Sequence, residues 1–192
     1  TKKRFFLGID NFYFNSEKID VIYQSTDKKK INLNKKEKII TFVGKLNKSK
    51  GYDIFGQAII KILNRFKDWN ALVYGDEHRE KINISHDRLT NKGYQSNDIV
   101  LKAFEKTSIS VACSRWNEPF GRTSLEASSR GCAVIVSKRG GLPETITDGV
   151  ILNDLSVNNL YKNIKDLILN KRKLKKLQKQ SLLNFYLDNK FK

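Results

Sequence analysis

The sequence predicts an α/β fold, a doubly wound parallel sheet with helices on both faces. Short, continuous apolar runs such as IITFV (39–43) and CAVIVS (132–137) are typical of strands that are buried on both faces. These runs alternate with longer amphipathic segments of helical spacing, for example YDIFGQAIIKILNRF (52–66). Strands that alternate with helices form parallel sheets, because a helix is the usual crossover between parallel strands.

The remaining elements follow in the same rhythm. After the first strand and helix, NALVYG (70–75) predicts a buried strand and RLTNKGY (88–94) a weaker one, and NDIVLKAFEK (97–106) predicts a helix with Asn97 as its N-cap. The later segments predict a strand at 108–113, a helix at 121–130 that ends at Gly131, a strand at 132–137, a short helix near 143–147, a helix at 158–170 and a lysine-rich helix at the end of the chain.

The beginning of the chain breaks this alternation. KIDVIY (18–23) predicts a strand, and the lysine-rich stretch STDKKKINLNKKEK follows it. We therefore divide the chain into the end of a preceding domain with its hinge (1–24), a linker (25–38), the main α/β domain (39–170) and a basic C-terminal helix (171–192). Because the first residue is not Met, we expect the chain to be a fragment of a longer protein.

The chain is strongly basic, with a formal net charge of +17 from 37 Lys and Arg against 20 Asp and Glu. Such a balance fits nucleic acid, an anionic membrane or an anionic small ligand, and it fits equally a general bias toward lysine. The sequence contains no basic motif interleaved with aromatic residues and no zinc-finger or helix-turn-helix pattern, so nucleic acid is not expected as a partner.

Cysteine content and hydropathy indicate a cytoplasmic protein. The two cysteines, Cys113 and Cys132, each lie within an apolar run, which predicts reduced and buried thiols. No apolar run approaches the roughly 18–20 residues that span a bilayer. The C-terminal helix offers a second possibility, because Leu174, Leu177 and Phe185 among its basic residues could lie on the inner face of a membrane as a peripheral contact.

The segment RWNEPFGRTSLEASSRG (115–131) carries the most informative chemistry. Pro119 disfavours the helical region for Glu118, which should therefore be extended in the loop after a strand. The backbone amides of the next helical turn would be unpaired and could bind an anion, and they belong to Phe120, Gly121, Arg122 and Thr123. Glu126 lies one turn further on. Two carboxylates beside an amide cradle suit a nucleotide-sugar, although both could also be solvated residues at a helix end.

A second basic segment, FVGKLNKSKG (42–51), follows the first predicted strand. Gly44 ends the strand, and Lys45 and Lys50 flank the turn before the first helix, where they can reach the carboxyl edge of the sheet. Ligands bind at that edge in open α/β sheets. Neither a P-loop nor a G-x-G-x-x-G pattern is present, which argues against the common mononucleotide and dinucleotide sites.

Five blocks together resemble glycosyltransferase family 4, retaining enzymes of the GT-B architecture, in which two Rossmann-like domains face each other across a cleft. They are FVGKLNKSKG, YGDEHRE, NKGYQSND, SRWNEPFGRTSLEASSRG and KRGGLPETITDG. The resemblance covers roughly residues 18–170 and corresponds to the C-terminal, donor-binding domain of the family. It implies a Rossmann-like sheet and a nucleotide-sugar site.

The resemblance also implies a role for each matching residue. Glu118 would hold the transferred sugar and Glu126 the ribose, as the two glutamates of the family's E-x₇-E motif. Lys45 and Lys50 would neutralise the diphosphate, so that Glu118, Lys45 and Lys50 are the candidate catalytic residues. The other donor-binding candidates are Gly44, then Gly93 and Tyr94 near the base, and the amides of Phe120, Gly121, Arg122 and Thr123. The resemblance implies no cofactor, because the NDP-sugar is a substrate, and it also implies no metal ion.

The implied function is retaining transfer of a hexose from an NDP-sugar to a glycan or lipid-linked acceptor, in cell-surface polysaccharide or lipopolysaccharide synthesis. We expect the fragment to be inactive without the N-terminal domain. Two alternatives stay open, a sugar-nucleotide epimerase or hydrolase on the same fold and a basic nucleic-acid-binding module. The sequence departs from the family pattern at Lys45, where Arg is common, and at VILND (150–154), which predicts a rebuilt loop.

Overall fold

The computed structural model describes residues 23–188 of the chain. The strand predicted at 18–23 and the predicted end of a preceding domain (1–24) thus lie outside the described residues, apart from residues 23 and 24. The described chain forms one sheet of six parallel strands in the order β3-β2-β1-β4-β5-β6. The strands are β1 (Glu37–Val43), β2 (Asn70–Tyr74), β3 (Leu89–Asn91), β4 (Thr107–Ala112), β5 (Ala133–Ser137) and β6 (Gly149–Leu152).

Within residues 23–188, five α-helices connect and cover these strands. They are α1 (Tyr52–Arg65), α2 (Asn97–Lys106), α3 (Arg122–Ser129), α4 (Val157–Leu169) and α5 (Lys171–Leu183). Two short 3-10 turns complete the described structure, at Leu33–Lys35 before β1 and at Leu142–Thr145 between β5 and β6. The predicted Rossmann-like, doubly wound parallel sheet is confirmed. The basic C-terminal helix predicted over 171–192 forms as α5 but ends at Leu183, and residues 184–188 are not helical.

Burial on both faces of the sheet explains why its strands are continuously apolar. In β5, Ile135 packs into a core with α1 and α4, whereas its neighbours Val134 and Val136 pack into a second core with α2 and α3. All three side chains are fully buried. Since successive side chains of a strand point to opposite faces, both faces of a central strand meet a helix layer, which favours apolar residues at its buried positions. Hydroxyls buried in the central strands find partners, as Thr41 and Thr107 do with each other at 2.7 Å.

Two details of the sequence-based prediction were wrong. The segment VILND does not form a rebuilt loop, because Val150–Leu152 belong to β6, which pairs with β5 from Val134↔Gly149 to Ser137↔Leu152. The strand is only four residues long and lies at the edge of the sheet, so its apolar pattern is too short to recognise. Asn97 is not an N-cap either, because α2 begins at Asn97 and Ser96 occupies the cap position.

The C-terminal helix α5 packs against the rest of the domain. Leu174 belongs to the core shared with α1 and α4, and Phe185 packs in a small cluster with Phe120 and Leu125. The side-chain amide of Gln178 donates to the carbonyl of Ser108 at 3.1 Å. Leu174 and Phe185 are buried within the protein and are therefore not exposed for the membrane contact suggested by the sequence, while peripheral association with a membrane stays a prediction. In the described part of the chain, no helix is long and apolar enough to cross a membrane.

Candidate functional site

The two central strands, β1 and β4, end beside a cavity of about 220 Å³. The connections from β1 and β4 run in opposite directions along the sheet, to β2 and β5, and ligands of open α/β sheets bind at such a switch point. The lining combines strand ends, two loops and the start of α3, and consists of Phe42, Val43, Gly44, Lys50, Ala112, Cys113, Ser114, Glu118, Gly121, Arg122, Thr123 and Leu142.

An ion pair joins Lys50 and Glu118 in this cavity. The ammonium Nζ of Lys50 donates to Oε1 of Glu118 at 2.5 Å. Both side chains are largely shielded from solvent, with 31% of the lysine and 14% of the glutamate exposed. The two residues are 68 positions apart and come together because the loops after β1 and β4 share one edge of the sheet.

Several hydrogen bonds fasten these two loops to each other. The carbonyl of Ser49 accepts from the backbone amides of Arg115 and Trp116 at 2.8 and 3.1 Å. The guanidinium of Arg115 binds both carboxylate oxygens of Asp53 at 2.6 and 2.7 Å, which lowers the pKa of Asp53. A bidentate pair of this kind fixes orientation as well as distance. The backbones that carry Lys50 and Glu118 are therefore held in place.

A turn after β5 holds the Glu118 loop from the other side. The amide of Gly141 donates to the carbonyl of Glu118 at 2.6 Å. At Gly140, where φ is +57°, a Cβ atom would lie 2.1 Å from that same carbonyl oxygen. Only glycine permits both this backbone conformation and this close approach. Gly140 and Gly141 belong to the block KRGGLPETITDG, but the sequence does not connect this block with Glu118.

The first turn of α3 presents unpaired backbone amides to the cavity. Gly121, with φ of +112°, precedes the helix and gives it no side-chain cap. Within residues 23–188, the amides of Gly121, Arg122 and Thr123 donate no hydrogen bond, and all three residues line the cavity. Free amides together with the helix dipole attract an anion. Phe120 is 9% exposed and does not line the cavity, since its ring packs against Tyr23 at a centroid distance of 5.8 Å.

Glu126, the second glutamate of the motif, is buried and does not line the cavity. Only 2% of the residue is exposed. Its Oε1 accepts from Nε of Arg122 at 2.8 Å and from Nδ2 of Asn97 at 2.9 Å. Asn97 was predicted as a helix cap and is instead a partner of this carboxylate. No sequence signal points to that contact, because it joins α2 to α3 across 29 positions.

Three other predicted site residues, Gly44, Lys45 and Tyr94, line a second cavity of about 240 Å³ at the same edge. The two cavities share Val43 and Gly44. Lys45 and Tyr94 line only the second one, and Tyr94 is 75% exposed. Gly93 lies next to it and accepts a hydrogen bond from the amide of Gly75 at 2.9 Å. The two lysines predicted to act together thus lie in adjacent cavities, which suits an elongated ligand.

The cysteines are poor candidates for chemistry at this site. Both are free and buried. Burial raises the pKa of the Cys113 thiol to about 12, and burial also raises the pKa of Cys132. Thiols of this kind stay protonated and are weak nucleophiles and ligands. Within the described residues, no three His, Cys, Asp or Glu side chains come together in a way that could hold a metal ion.

The sequence model of one protein family matches this chain over residues 24–182, and its description is "Glycosyl transferases group 1". The chain belongs to the group 1 glycosyltransferases. The match covers the sheet, its helices and both cavities. The predicted glycosyltransferase identity is thereby confirmed, while membership of family 4 and the C-terminal position of the domain stay predictions.

Two curated relatives are much longer than this chain. It is 30% identical to spore coat protein SA of Bacillus subtilis over 162 residues, which is 76% of this chain and 43% of that protein. It is 29% identical over 134 residues to the lipopolysaccharide core biosynthesis mannosyltransferase LpsB of Rhizobium meliloti, covering 64% of this chain and 37% of the relative. The chain thus spans less than half the length of these relatives.

Solved structures agree with the fold of this glycosyltransferase chain. The C-terminal domain of the group 1 glycosyltransferase LpcC from Francisella tularensis superimposes with a TM-score of 0.67 at 24% identity, covering 75% of this chain and 82% of that one. HepE from Anabaena, solved in complex with UDP and glucose, superimposes with a TM-score of 0.74 at 16% identity, covering 91% and 54%. At these identities the likeness supports the GT-B type of Rossmann-like domain and nothing finer.

Proposed function

We propose that this chain is the donor-binding domain of a retaining GT-B glycosyltransferase of family 4, the C-terminal half of the enzyme, and that it binds an NDP-sugar. The observation that carries the proposal is the first cavity, where a cation, a carboxylate and unpaired helix amides converge. These are Lys50, Glu118 and the first turn of α3. A diphosphate needs the cation and the amides, and a sugar hydroxyl needs the carboxylate.

The two adjacent cavities suggest how the donor would lie. Its sugar would contact Glu118, and its diphosphate would lie between Lys50 and the amides of Gly121, Arg122 and Thr123. Its base would extend past Gly44 into the second cavity, near Gly93 and Tyr94, with Lys45 as a further cation there. Glu126 lines neither cavity and is only 2% exposed, so it would bind the ribose only by turning Oε2 toward the ligand, since Oε1 already accepts two hydrogen bonds.

Catalysis by such a site would be mainly electrostatic. The leaving diphosphate develops negative charge as the bond to the sugar breaks, and fixed cations and amides stabilise that charge. Lys50 and Lys45 would supply the positive charge that a metal ion supplies in other enzymes. We therefore expect donor binding to need no metal and no cofactor, so that adding EDTA should leave the dissociation constant unchanged.

The names of similar proteins suggest a substrate class for the whole enzyme. One relative is a lipopolysaccharide core mannosyltransferase, and HepE was solved with UDP and glucose. We propose a hexose as the transferred sugar and a glycan or lipid-linked acceptor in cell-surface polysaccharide or lipopolysaccharide synthesis, at the cytoplasmic side. The acceptor site would belong to an N-terminal domain, so this chain alone should bind the donor without transferring its sugar.

Calorimetric titration tests the proposal. UDP-glucose, UDP, GDP and ADP are titrated into the wild-type chain and into two lysine variants. We expect one nucleotide to bind selectively and Lys50→Gln to weaken it at least ~10-fold, as for loss of a charge-assisted hydrogen bond. Lys48→Gln is the matched control, because Lys48 lies on the same loop, pairs with Glu80 and lines neither cavity.

Two outcomes would contradict the proposal. Equal effects of the two lysine variants would place the nucleotide away from the cavity, and no binding by any nucleotide would remove its basis. Release of free glucose from UDP-glucose in the absence of an acceptor would indicate a hydrolase on the same fold. The release can be followed by a coupled glucose assay under the same conditions.

A further inference from the structure

In this structure, Lys50 and Glu118 neutralise each other in the cavity where both are proposed to serve the donor. Of the described residues that line it, only Glu118 carries a carboxylate, and the other cation, Arg122, binds Glu126 instead. A phosphate in contact with Lys50 would lie within about 6 Å of the Glu118 carboxylate, since both would touch one nitrogen. A bound diphosphate must therefore compete with the Glu118 carboxylate for the ammonium of Lys50.

We propose that Glu118 competes with the donor's diphosphate for Lys50, so that the site favours the intact nucleotide-sugar over the nucleoside diphosphate. This inference rests on the proposed function. When an NDP-sugar binds, its sugar hydroxyls donate to Glu118 and replace the hydrogen bond that Lys50 gave up. When the sugar has left, Glu118 loses those donors, pairs with Lys50 again and weakens the hold on the nucleoside diphosphate product.

The surrounding structure allows this exchange to involve side chains alone. The backbone of Lys50 is fixed by its amide, which donates to Oδ1 of Asn47 at 3.0 Å. The backbone of Glu118 is fixed by the amide of Gly141 at 2.6 Å. Both side chains line the cavity and neither belongs to the apolar core, so each can turn to a ligand without opening the core. Release of one salt bridge and formation of another is then a local rotamer change.

The test measures the preference of the site for UDP-glucose over UDP, as the ratio of the two dissociation constants. The same ratio is measured for GDP-mannose over GDP and for ADP-glucose over ADP. In Glu118→Gln the amide keeps the shape of the side chain but cannot neutralise Lys50. We expect the dissociation constant for the nucleoside diphosphate to fall about 10-fold, and the preference for the nucleotide-sugar to fall by at least as much. The matched control is Glu80→Gln, which removes the carboxylate that pairs with Lys48 of the same loop outside the cavity.

A double-mutant cycle with Lys50→Gln separates competition from plain charge repulsion. If Glu118 acts by occupying Lys50, then Glu118→Gln should change diphosphate affinity less than ~3-fold in the Lys50→Gln background. Glu118→Asp gives a second variant that keeps the charge but shortens the reach to Lys50, and it should also tighten diphosphate binding. Melting temperatures of all variants show that each is folded before its affinities are compared.

The outcomes distinguish this inference from the proposed function. The inference is overturned if Glu118→Gln leaves the preference unchanged, if Glu80→Gln shifts it equally, or if the tightening persists in the Lys50→Gln background. In each of these cases the wild-type chain still binds a nucleotide, and the donor-binding proposal stands. If the wild-type chain binds none of the nucleotides or nucleotide-sugars, both proposals fail.

Discussion

Replacing Gly140 by alanine should destabilise the fold and disturb the Glu118 loop at the same time. The residue lies in the turn after β5 with φ of +57°, a conformation that side chains rarely adopt. A Cβ atom there would approach the carbonyl oxygen of Glu118 to 2.1 Å and its amide nitrogen to 2.3 Å. Both neighbours are backbone atoms, so no side chain can rotate away to relieve the contact.

Two contributions set the size of the effect. The left-handed conformation costs an alanine about 1–2 kcal/mol. The clash with backbone adds about 1–3 kcal/mol, the range found when extra atoms are forced into a packed site. Together they predict a loss of ~2–5 kcal/mol, which in a chain of this size lowers the melting temperature by about 4–20 °C.

Gly93→Ala provides a matched control for this prediction. Gly93 has a similar φ of +65°, but a Cβ atom there would have no neighbour within 4 Å. It should therefore show the conformational cost alone, about 1–2 kcal/mol. Urea unfolding followed by circular dichroism gives both values, provided that the slope of the transition is unchanged. If Gly140→Ala is no less stable than Gly93→Ala, the close approach to Glu118 is not a real constraint and the reasoning is refuted.

Two further predictions concern titratable groups. Hydrogen bonds from the side chain and amide of Arg79 and from Asn47 lower the pKa of Glu77 to about 2, so its contribution to stability is present above pH 4.5 and is lost as pH falls toward 2. By urea unfolding, the wild-type chain should be more stable than Glu77→Gln at pH 7. The difference in the free energy of unfolding should shrink as the pH falls from 4.5 toward 2, and a difference that stays constant would contradict this prediction. The raised pKa values of Cys113 and Cys132 predict that iodoacetamide labels neither thiol at pH 8 without denaturant and both in urea, as followed by intact mass. Rapid labelling of the native chain would show that a thiol is accessible.

The sequence determined most of the fold because its signals are local. Continuous apolar runs identified β1, β2, β4 and β5, since a strand buried on both faces shows this pattern wherever it lies in the chain. Helical spacing likewise identified α1, α2 and α4. β6 was missed, since a short edge strand leaves little trace in the sequence. Motif order also led to the glycosyltransferase assignment, because several blocks at the right spacing are more specific than any one of them.

The arrangement of side chains in the site was decided by tertiary structure. The sequence brought Lys45, Lys50, Glu118 and Glu126 to one edge of a sheet, but the structure divides them between two cavities and a buried contact. The Lys50–Glu118 pair and the approach of Gly140 to Glu118 join loops that follow three different strands. The physical reason is that hydrophobic periodicity and secondary-structure propensity act over a few residues. These contacts depend instead on strand order and register, which set the distances between loops that are far apart in the chain.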